Sequence, residues 1–120
     1  MFSRNKKFQF YVRMFPPSAY IVTFLGFFEN PNGIVMKMYE GTLKDLLFQS
    51  DTTLTMSNIK QMAFDIASGC KLIHSMGLIH FDIKPHNILV ERVEDSDEIR
   101  CAITDFGVPF KKFVLYITFV

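Results

Sequence analysis

The stretch of sequence that decides the fold is His80-Phe-Asp-Ile-Lys-Pro-His-Asn-Ile-Leu-Val90, which is followed downstream by Asp105-Phe-Gly107. In the first stretch a polar loop leads into the apolar triplet Ile88-Leu-Val90, and Arg100 to Thr104 forms a second short strand-like run. The acidic run at 91–98 between them is typical of a solvated hairpin loop rather than of a metal site. The two polar motifs therefore flank one predicted hairpin.

A long helix is predicted before this loop, from Ser57 to Met76. Its apolar residues recur every three or four positions, which predicts one buried stripe. The stripe consists of Ile59, Met62, Ala63, Ile66, Ala67, Cys70 and Ile73. Ser57 is suited to cap this helix, and Gly77 is suited to end it in a left-handed conformation. A shorter helix, capped by Thr42, is predicted to run to Gln49, with Leu43, Leu46 and Leu47 on one face.

Two strands joined by a turn are predicted further towards the N-terminus. Tyr20–Phe28 and Ile34–Tyr39 are rich in β-branched and aromatic residues, and Glu29-Asn-Pro-Asn-Gly33 between them is a turn signal. Residues 5–15 fit the end of a helix that Pro16-Pro17 stops. The predicted order is therefore a hairpin, a connecting segment, a long helix, a polar loop and a second hairpin.

The composition indicates one globular domain and excludes several classes of protein. Of the 120 residues 49% are hydrophobic and 21% are charged, which is typical of a folded chain. The net charge of +1 gives no field directed towards nucleic acid or an anionic membrane, so neither is expected as a partner. No apolar run reaches the roughly 20 residues needed to cross a bilayer. Two cysteines are too few for a disulfide framework, so we expect a reduced, cytoplasmic protein.

The loop and the tripeptide that follows it resemble the eukaryotic protein kinase family. The family pattern is His-Arg-Asp-Leu-Lys-Pro-x-Asn and then Asp-Phe-Gly. The matching positions are His80, Asp82, Lys84, Pro85, Asn87, Asp105, Phe106 and Gly107. Ile34 to Gly41 is similar to the family's strand and hinge, and residues 57–76 are similar to the helix before its catalytic loop. The resemblance implies an α+β fold, here a truncated kinase-like one with the end of the N-lobe hairpin, the hinge, the long helix, the catalytic loop and the magnesium-loop hairpin.

The resemblance also implies ATP and Mg²⁺ as cofactors and a role for each matching residue. Asp82 would accept the proton of the substrate hydroxyl, and Lys84, which is typical of serine/threonine-directed members, would meet the γ-phosphate. Asn87 and Asp105 would offer oxygen ligands to the metal. His80 is expected to support the loop from beneath rather than to carry a proton.

For the nucleotide, the resemblance implies a pocket formed by the hinge and the second hairpin. Leu89 would lie under the adenine ring, and the backbone near Lys37 and Met38 would bond its edge. Met36 would guard the back of the pocket. The implied partner is a protein substrate with a serine or threonine acceptor.

The sequence also departs from the family pattern. No glycine precedes Gly26 and no acidic residue precedes Glu29, so we expect no glycine-rich phosphate loop and no ion pair between a strand lysine and a helix glutamate. Phe81 replaces the arginine before the catalytic aspartate, and residues 108–120, which have strand character, match nothing in the family. We therefore interpret 1–120 as one partial domain, with an N-lobe remnant at about 5–40 and the start of the C-lobe at about 41–107.

Two functions stay open at this point. The first is a serine/threonine kinase that transfers phosphate from ATP in a complete form. The second is a catalytically inactive fragment or pseudokinase-like interaction module. Because the helices that cover the long helix in the family are not expected here, its apolar surface would be exposed and could support self-association.

Overall fold

A computed structural model of the chain describes residues 18–28, 33–49, 51–77, 79–80, 82–104 and 116–119. The predicted helix at 5–15 and the Asp105–Gly107 motif lie outside these residues. The elements within them are β1 (Phe24–Phe28), β2 (Gly33–Met36), β3 (Gly41–Thr42), α1 (Leu43–Phe48), α2 (Met56–Ser75), a 3-10 turn (Pro85–Asn87), β4 (Ile88–Arg92), β5 (Ile99–Ile103) and β6 (Tyr116–Phe119). The fold is α+β, as predicted.

The described strands form two small sheets. One is the antiparallel sheet β3-β4-β5, in which Leu89 pairs with Thr42 on one side and with Ala102 on the other. The second has the order β1-β2-β6, with β2 antiparallel to β1 and parallel to β6. The strand character of the tail is thus confirmed at β6.

The first hairpin is shorter than the sequence predicted. Residues before Phe24 leave the hairpin because they bond to β5 instead: Val22 N–H donates to Ile103 O at 3.0 Å, and Ile103 N–H donates to Tyr20 O at 2.9 Å. At the other end β2 stops at Met36, and residues 37–40 cross to the second sheet. This crossing segment is called the hinge below.

Both helices begin at capping boxes. In α1 the Thr42 hydroxyl accepts from Asp45 N–H, and the Asp45 carboxylate accepts from Thr42 N–H, each at 3.1 Å, which confirms the predicted cap. In α2 the predicted cap at Ser57 is wrong, because the cap is Thr55, whose hydroxyl accepts from Asn58 N–H at 3.1 Å. The reciprocal bond runs from Thr55 N–H to the Asn58 side chain, so a second main-chain donor at the start of the helix has a partner.

The buried face of α2 confirms the predicted stripe only in part: Met62 and Ile73 are buried, and Ile66 and Cys70 are partly buried. Its buried residues are Asn58, Met62, Asp65, Gly69 and Ile73. Ile59 is 46% exposed, and Ala63 and Ala67 are exposed too. Compared with the predicted orientation, the helix turns the face that carries Asp65 and Gly69 towards β5. Asp65 accepts a hydrogen bond from that strand, and Gly69 permits its close approach. Gly77 follows the helix with φ +75°, as predicted.

The core lies between α2 and the sheet β3-β4-β5. Ile73 on α2, Ile88 on β4 and Ile103 on β5 are almost completely buried, and Leu43 and Leu46 of α1 join the same cluster. Neither helix in the described part of the chain combines the length and the apolarity that crossing a membrane requires. The core therefore holds the end of α2 and the start of β4 together, and the polar loop connects them.

Candidate active site

A short 3-10 turn positions the end of the polar loop. Pro85 occupies its first position, where the missing N–H of proline costs nothing. Asn87 N–H closes the turn by donating to Lys84 O at 2.9 Å. Strand β4 begins at the next residue, so Asn87 stands where the loop enters the core.

The side chain of His80 joins the loop to the end of β5 through hydrogen bonds. Its side chain is buried, Nε2 donates to Thr104 O at 2.7 Å, and Nδ1 accepts from Asp82 N–H at 3.1 Å. Since a carbonyl only accepts and an amide N–H only donates, these two bonds assign the neutral ring with its proton on Nε2. The predicted supporting role of His80 is confirmed by this geometry.

Asn87 holds Asp82 from the other side. Its Nδ2 donates to Asp82 O at 2.9 Å and to Asp82 Oδ2 at 3.1 Å. Both partners are acceptors, so they determine which side-chain atom is the nitrogen, and no described residue bonds to Oδ1 of this buried amide. Thr104 N–H also donates to Asn87 O at 3.0 Å, which ties the loop to β5 a second time.

Asp82 and Lys84 form the accessible part of the site. Lys84 Nζ lies 3.5 Å from Asp82 Oδ2, and both side chains are 49% exposed. Among the described residues nothing bonds to Asp82 Oδ1. The carboxylate is therefore oriented through Oδ2, and no described residue occupies Oδ1.

The structure thus brings together Asp82, Lys84 and Asn87, three of the four residues predicted for catalysis and metal binding. The fourth, Asp105, lies outside the described residues. Its neighbour Thr104 bonds to both His80 and Asn87 through its main chain. Sequence reasoning did not find this role of Thr104, because a backbone contact leaves no signal in residue type.

The residues predicted for nucleotide binding lie on the hinge and on β4. Met36 is buried in the core, Leu89 is partly buried on β4, and Met38 is 62% exposed. Lys37 N–H already donates to Thr23 O at 2.9 Å. Within the described part of the chain the N–H groups of Met38 and Tyr39 have no hydrogen-bond partner.

A family comparison identifies this arrangement. The sequence-family model described as the protein kinase domain matches residues 10–111. The chain belongs to the protein kinase family. A solved structure described as the Rad53 kinase domain and SCD2 superposes with a TM-score of 0.69 at 29% identity, covering 88% of this chain and 40% of that one. The predicted family and fold class are confirmed.

Several curated relatives that the chain resembles are named as serine/threonine or serine/threonine/tyrosine kinases. A probable serine/threonine-protein kinase, gdt4 of Dictyostelium discoideum, is 33% identical over 90 residues, which is 72% of this chain and 6% of the relative. The serine/threonine/tyrosine-protein kinase HT1 of Arabidopsis thaliana is 32% identical over 99 residues, which is 79% of this chain and 24% of the relative. The chain thus spans a quarter or less of the length of each of these proteins.

Proposed function

We propose that this chain forms the hinge and catalytic-loop part of a serine/threonine protein kinase domain, which in a complete form transfers the γ-phosphoryl group of ATP to a protein hydroxyl. The observation that carries the proposal is the Asp82 carboxylate, bonded by the Asn87 amide at 3.1 Å and approached by the Lys84 ammonium at 3.5 Å. The proposal includes the division into an N-lobe remnant at about 5–40, a C-lobe start at about 41–107 and an unmatched tail.

The free oxygen of Asp82 would accept the proton of the substrate serine or threonine hydroxyl and aim that hydroxyl at the phosphorus atom. Lys84 would bring its positive charge to the transferred group, where negative charge spreads over the phosphoryl oxygens. His80 would take no proton, because both its ring nitrogens are engaged in holding the loop.

The donor set fits Mg²⁺. Asn87 has used its amide nitrogen on Asp82, so a hard oxygen remains, which is the type of ligand that Mg²⁺ prefers. Asp105 is proposed as the second ligand. When bound, the ion would supply charge neutralisation for the phosphates.

The hinge and β4 would hold the nucleotide. Leu89, packed between its sheet neighbours, would support the adenine ring, with Met36 at the back of the pocket. The free amides of Met38 and Tyr39 and the carbonyl of Lys37 would bond the adenine edge.

A second function is favoured by a specific observation: large apolar side chains are exposed on this chain. Phe64 on α2 is 59% exposed, and Ile59 on the same helix and Phe48 at the end of α1 are also exposed. No glycine precedes Gly26 in the given 120 residues, so these residues supply no glycine-rich loop for the phosphates. The isolated chain would then bind Mg–ATP weakly, associate through its apolar surface, and act as an interaction module.

A chimera separates the two functions. Residues 41–107 of this chain replace the corresponding segment of the HT1 kinase, which supplies the remaining parts of the domain. We expect serine or threonine phosphorylation of a peptide substrate, reduced by about 10²–10⁴ in kcat by Asp82→Asn because the hydroxyl loses its proton acceptor. Lys84→Met should also lower kcat.

The matched control is Lys60→Met, since Lys60 is an exposed lysine of α2 with no ion pair among the described residues. It should leave kcat within about twofold, as expected of an isolated surface charge. Full activity of the Asp82→Asn chimera would refute the proposed role of Asp82. An inactive but folded parent chimera would favour the interaction module.

The isolated chain is tested separately. We expect no measurable peptide phosphorylation, because transition-state contacts that act together are missing. A turnover that disappears with Asp82→Ala would contradict this expectation. We also propose a cytoplasmic location, which rests on Cys70 and Cys101 both being free thiols.

A further inference from the structure

Main-chain hydrogen bonds hold the two ends of the hinge, whereas its middle makes none with the described residues. Lys37 N–H bonds to Thr23 O at 2.9 Å, and Glu40 N–H bonds to Val90 O at 3.0 Å. Met38 and Tyr39 between them have no main-chain hydrogen bonds to other described residues. A segment with so few backbone bonds needs other contacts if it is to keep one conformation.

Two side-chain contacts join this hinge to strand β4. Lys37 Nζ lies 2.7 Å from Glu91 Oε1, with side chains 45% and 33% exposed. Glu40 Oε1 accepts from Arg92 N–H at 3.1 Å. The partners are consecutive residues of β4, and each contact spans more than fifty residues of sequence. The two contacts together are called the hinge clamp.

Lys37 is the better placed of the two hinge residues to restrain the free segment. Its ammonium lies 5.2 Å from the centroid of the Tyr39 ring, so the same cation contacts both the strand and the middle of the hinge. The hydrogen bond to Glu91 raises the pKa of Lys37 above its ordinary value, as expected of an ammonium that donates to a carboxylate. Tyr39 is restrained further because Thr23 N–H donates to its hydroxyl at 3.3 Å.

Strand β4 also carries the proposed adenine support, Leu89, and starts directly after Asn87. The hinge clamp therefore sets the position of the free amides of Met38 and Tyr39 relative to the strand on which the nucleotide would rest. We propose that Lys37 and Glu91 are positioning residues, which order the hinge against β4 so that its free amides meet the adenine edge. This inference rests on the proposed function for its nucleotide part.

The experiment uses the 120-residue chain in four forms besides the native one. These are Lys37→Met, Glu91→Gln, the charge exchange Lys37→Glu with Glu91→Lys, and the control Lys60→Met. Binding of Mg–ADP is titrated by calorimetry, and amide hydrogen exchange of residues 37–40 is measured without nucleotide. The melting temperature of each form is recorded as well.

We expect each single hinge-clamp variant to weaken Mg–ADP binding about two- to fivefold, the range that one partly exposed ion pair can supply. Hinge exchange should become faster by a similar factor, while the melting temperature changes little. The charge exchange should recover most of the affinity and protection, because the pair is restored with reversed signs. Lys60→Met should match the native chain.

Unchanged hinge exchange in Lys37→Met and Glu91→Gln would overturn the inference, and so would a charge exchange that recovers nothing. Equal loss in Lys60→Met would show a general charge effect and overturn it too. If the native chain binds no Mg–ADP, the nucleotide part of this inference fails, whereas the proposed function concerns a complete form and is decided by the chimera experiment. Faster hinge exchange in the variants would still establish the ordering role of the clamp.

Discussion

Removing the charge of Asp65 should destabilise the chain more than any change at an exposed carboxylate. Asp65 is completely buried on α2, and its two oxygens accept from Arg100 Nε and Nη2, each at 2.9 Å, and from Cys101 N–H at 3.0 Å. Gln61 Nε2 donates a fourth bond at 2.9 Å. These bonds join the long helix to β5, the strand that immediately precedes Thr104, whose main chain bonds to His80 and Asn87.

The substitution Asp65→Asn keeps the volume and replaces one acceptor with a donor that faces the Arg100 guanidinium. Breaking a buried ion pair costs roughly 3–5 kcal/mol. Because the Arg100 side chain is 30% exposed and can regain water, we expect the lower end of that range, about 3 kcal/mol. Such a loss would be a large share of the 5–15 kcal/mol typical of a whole domain.

The assay is urea unfolding followed by circular dichroism, on the native chain, Asp65→Asn, Arg100→Met and the double variant. The cycle should give a coupling of roughly 1.5–3 kcal/mol between the two side chains. Asp51→Asn, at an exposed position with no ion pair among the described residues, is the control and should change the free energy of unfolding by less than about 0.5 kcal/mol. A loss below about 1 kcal/mol for Asp65→Asn, with no coupling, would refute the reasoning.

Three further predictions concern stability and reactivity. Gly69→Ala should destabilise the chain by roughly 1–3 kcal/mol in urea unfolding despite the better helix propensity of alanine, because the added Cβ would lie 2.7 Å from Tyr20 O. Cys101, whose pKa burial raises to about 12, should resist iodoacetamide at pH 8 until the chain unfolds, and fast labelling in the folded chain would contradict its burial. The backbone hydrogen bond from Thr42 lowers the pKa of Asp45 below 3.8, so its contribution to stability is present above that pH and is lost as the pH falls through the lower folded value. Asp45→Asn should remove this part of the acid dependence of unfolding.

Most of what could be predicted from the sequence depends on residues close together in the chain. The Thr42 cap, the left-handed Gly77 and the bonds that Asp82 makes with His80 and Asn87 all involve residues at most five positions apart. Hydrogen bonds over such short separations are set by local backbone geometry, which residue type controls directly. The family resemblance, and with it the fold class, followed from the eight matching positions of the loop and of Asp105–Gly107 and from their order along the chain.

The tertiary structure decided which face of α2 is buried and what holds the hinge. The apolar period of α2 pointed to Ile59, Ala63 and Ala67, yet the strand opposite offered Arg100 and Cys101 N–H to Asp65, so a polar residue faces the core. The contacts of Lys37 with Glu91 and of His80 with Thr104 join residues 54 and 24 positions apart. Residues so far apart in the sequence meet only when the chain has folded. A hydropathy pattern therefore cannot predict that Asp65 is buried, because its burial depends on the guanidinium of Arg100, 35 positions away.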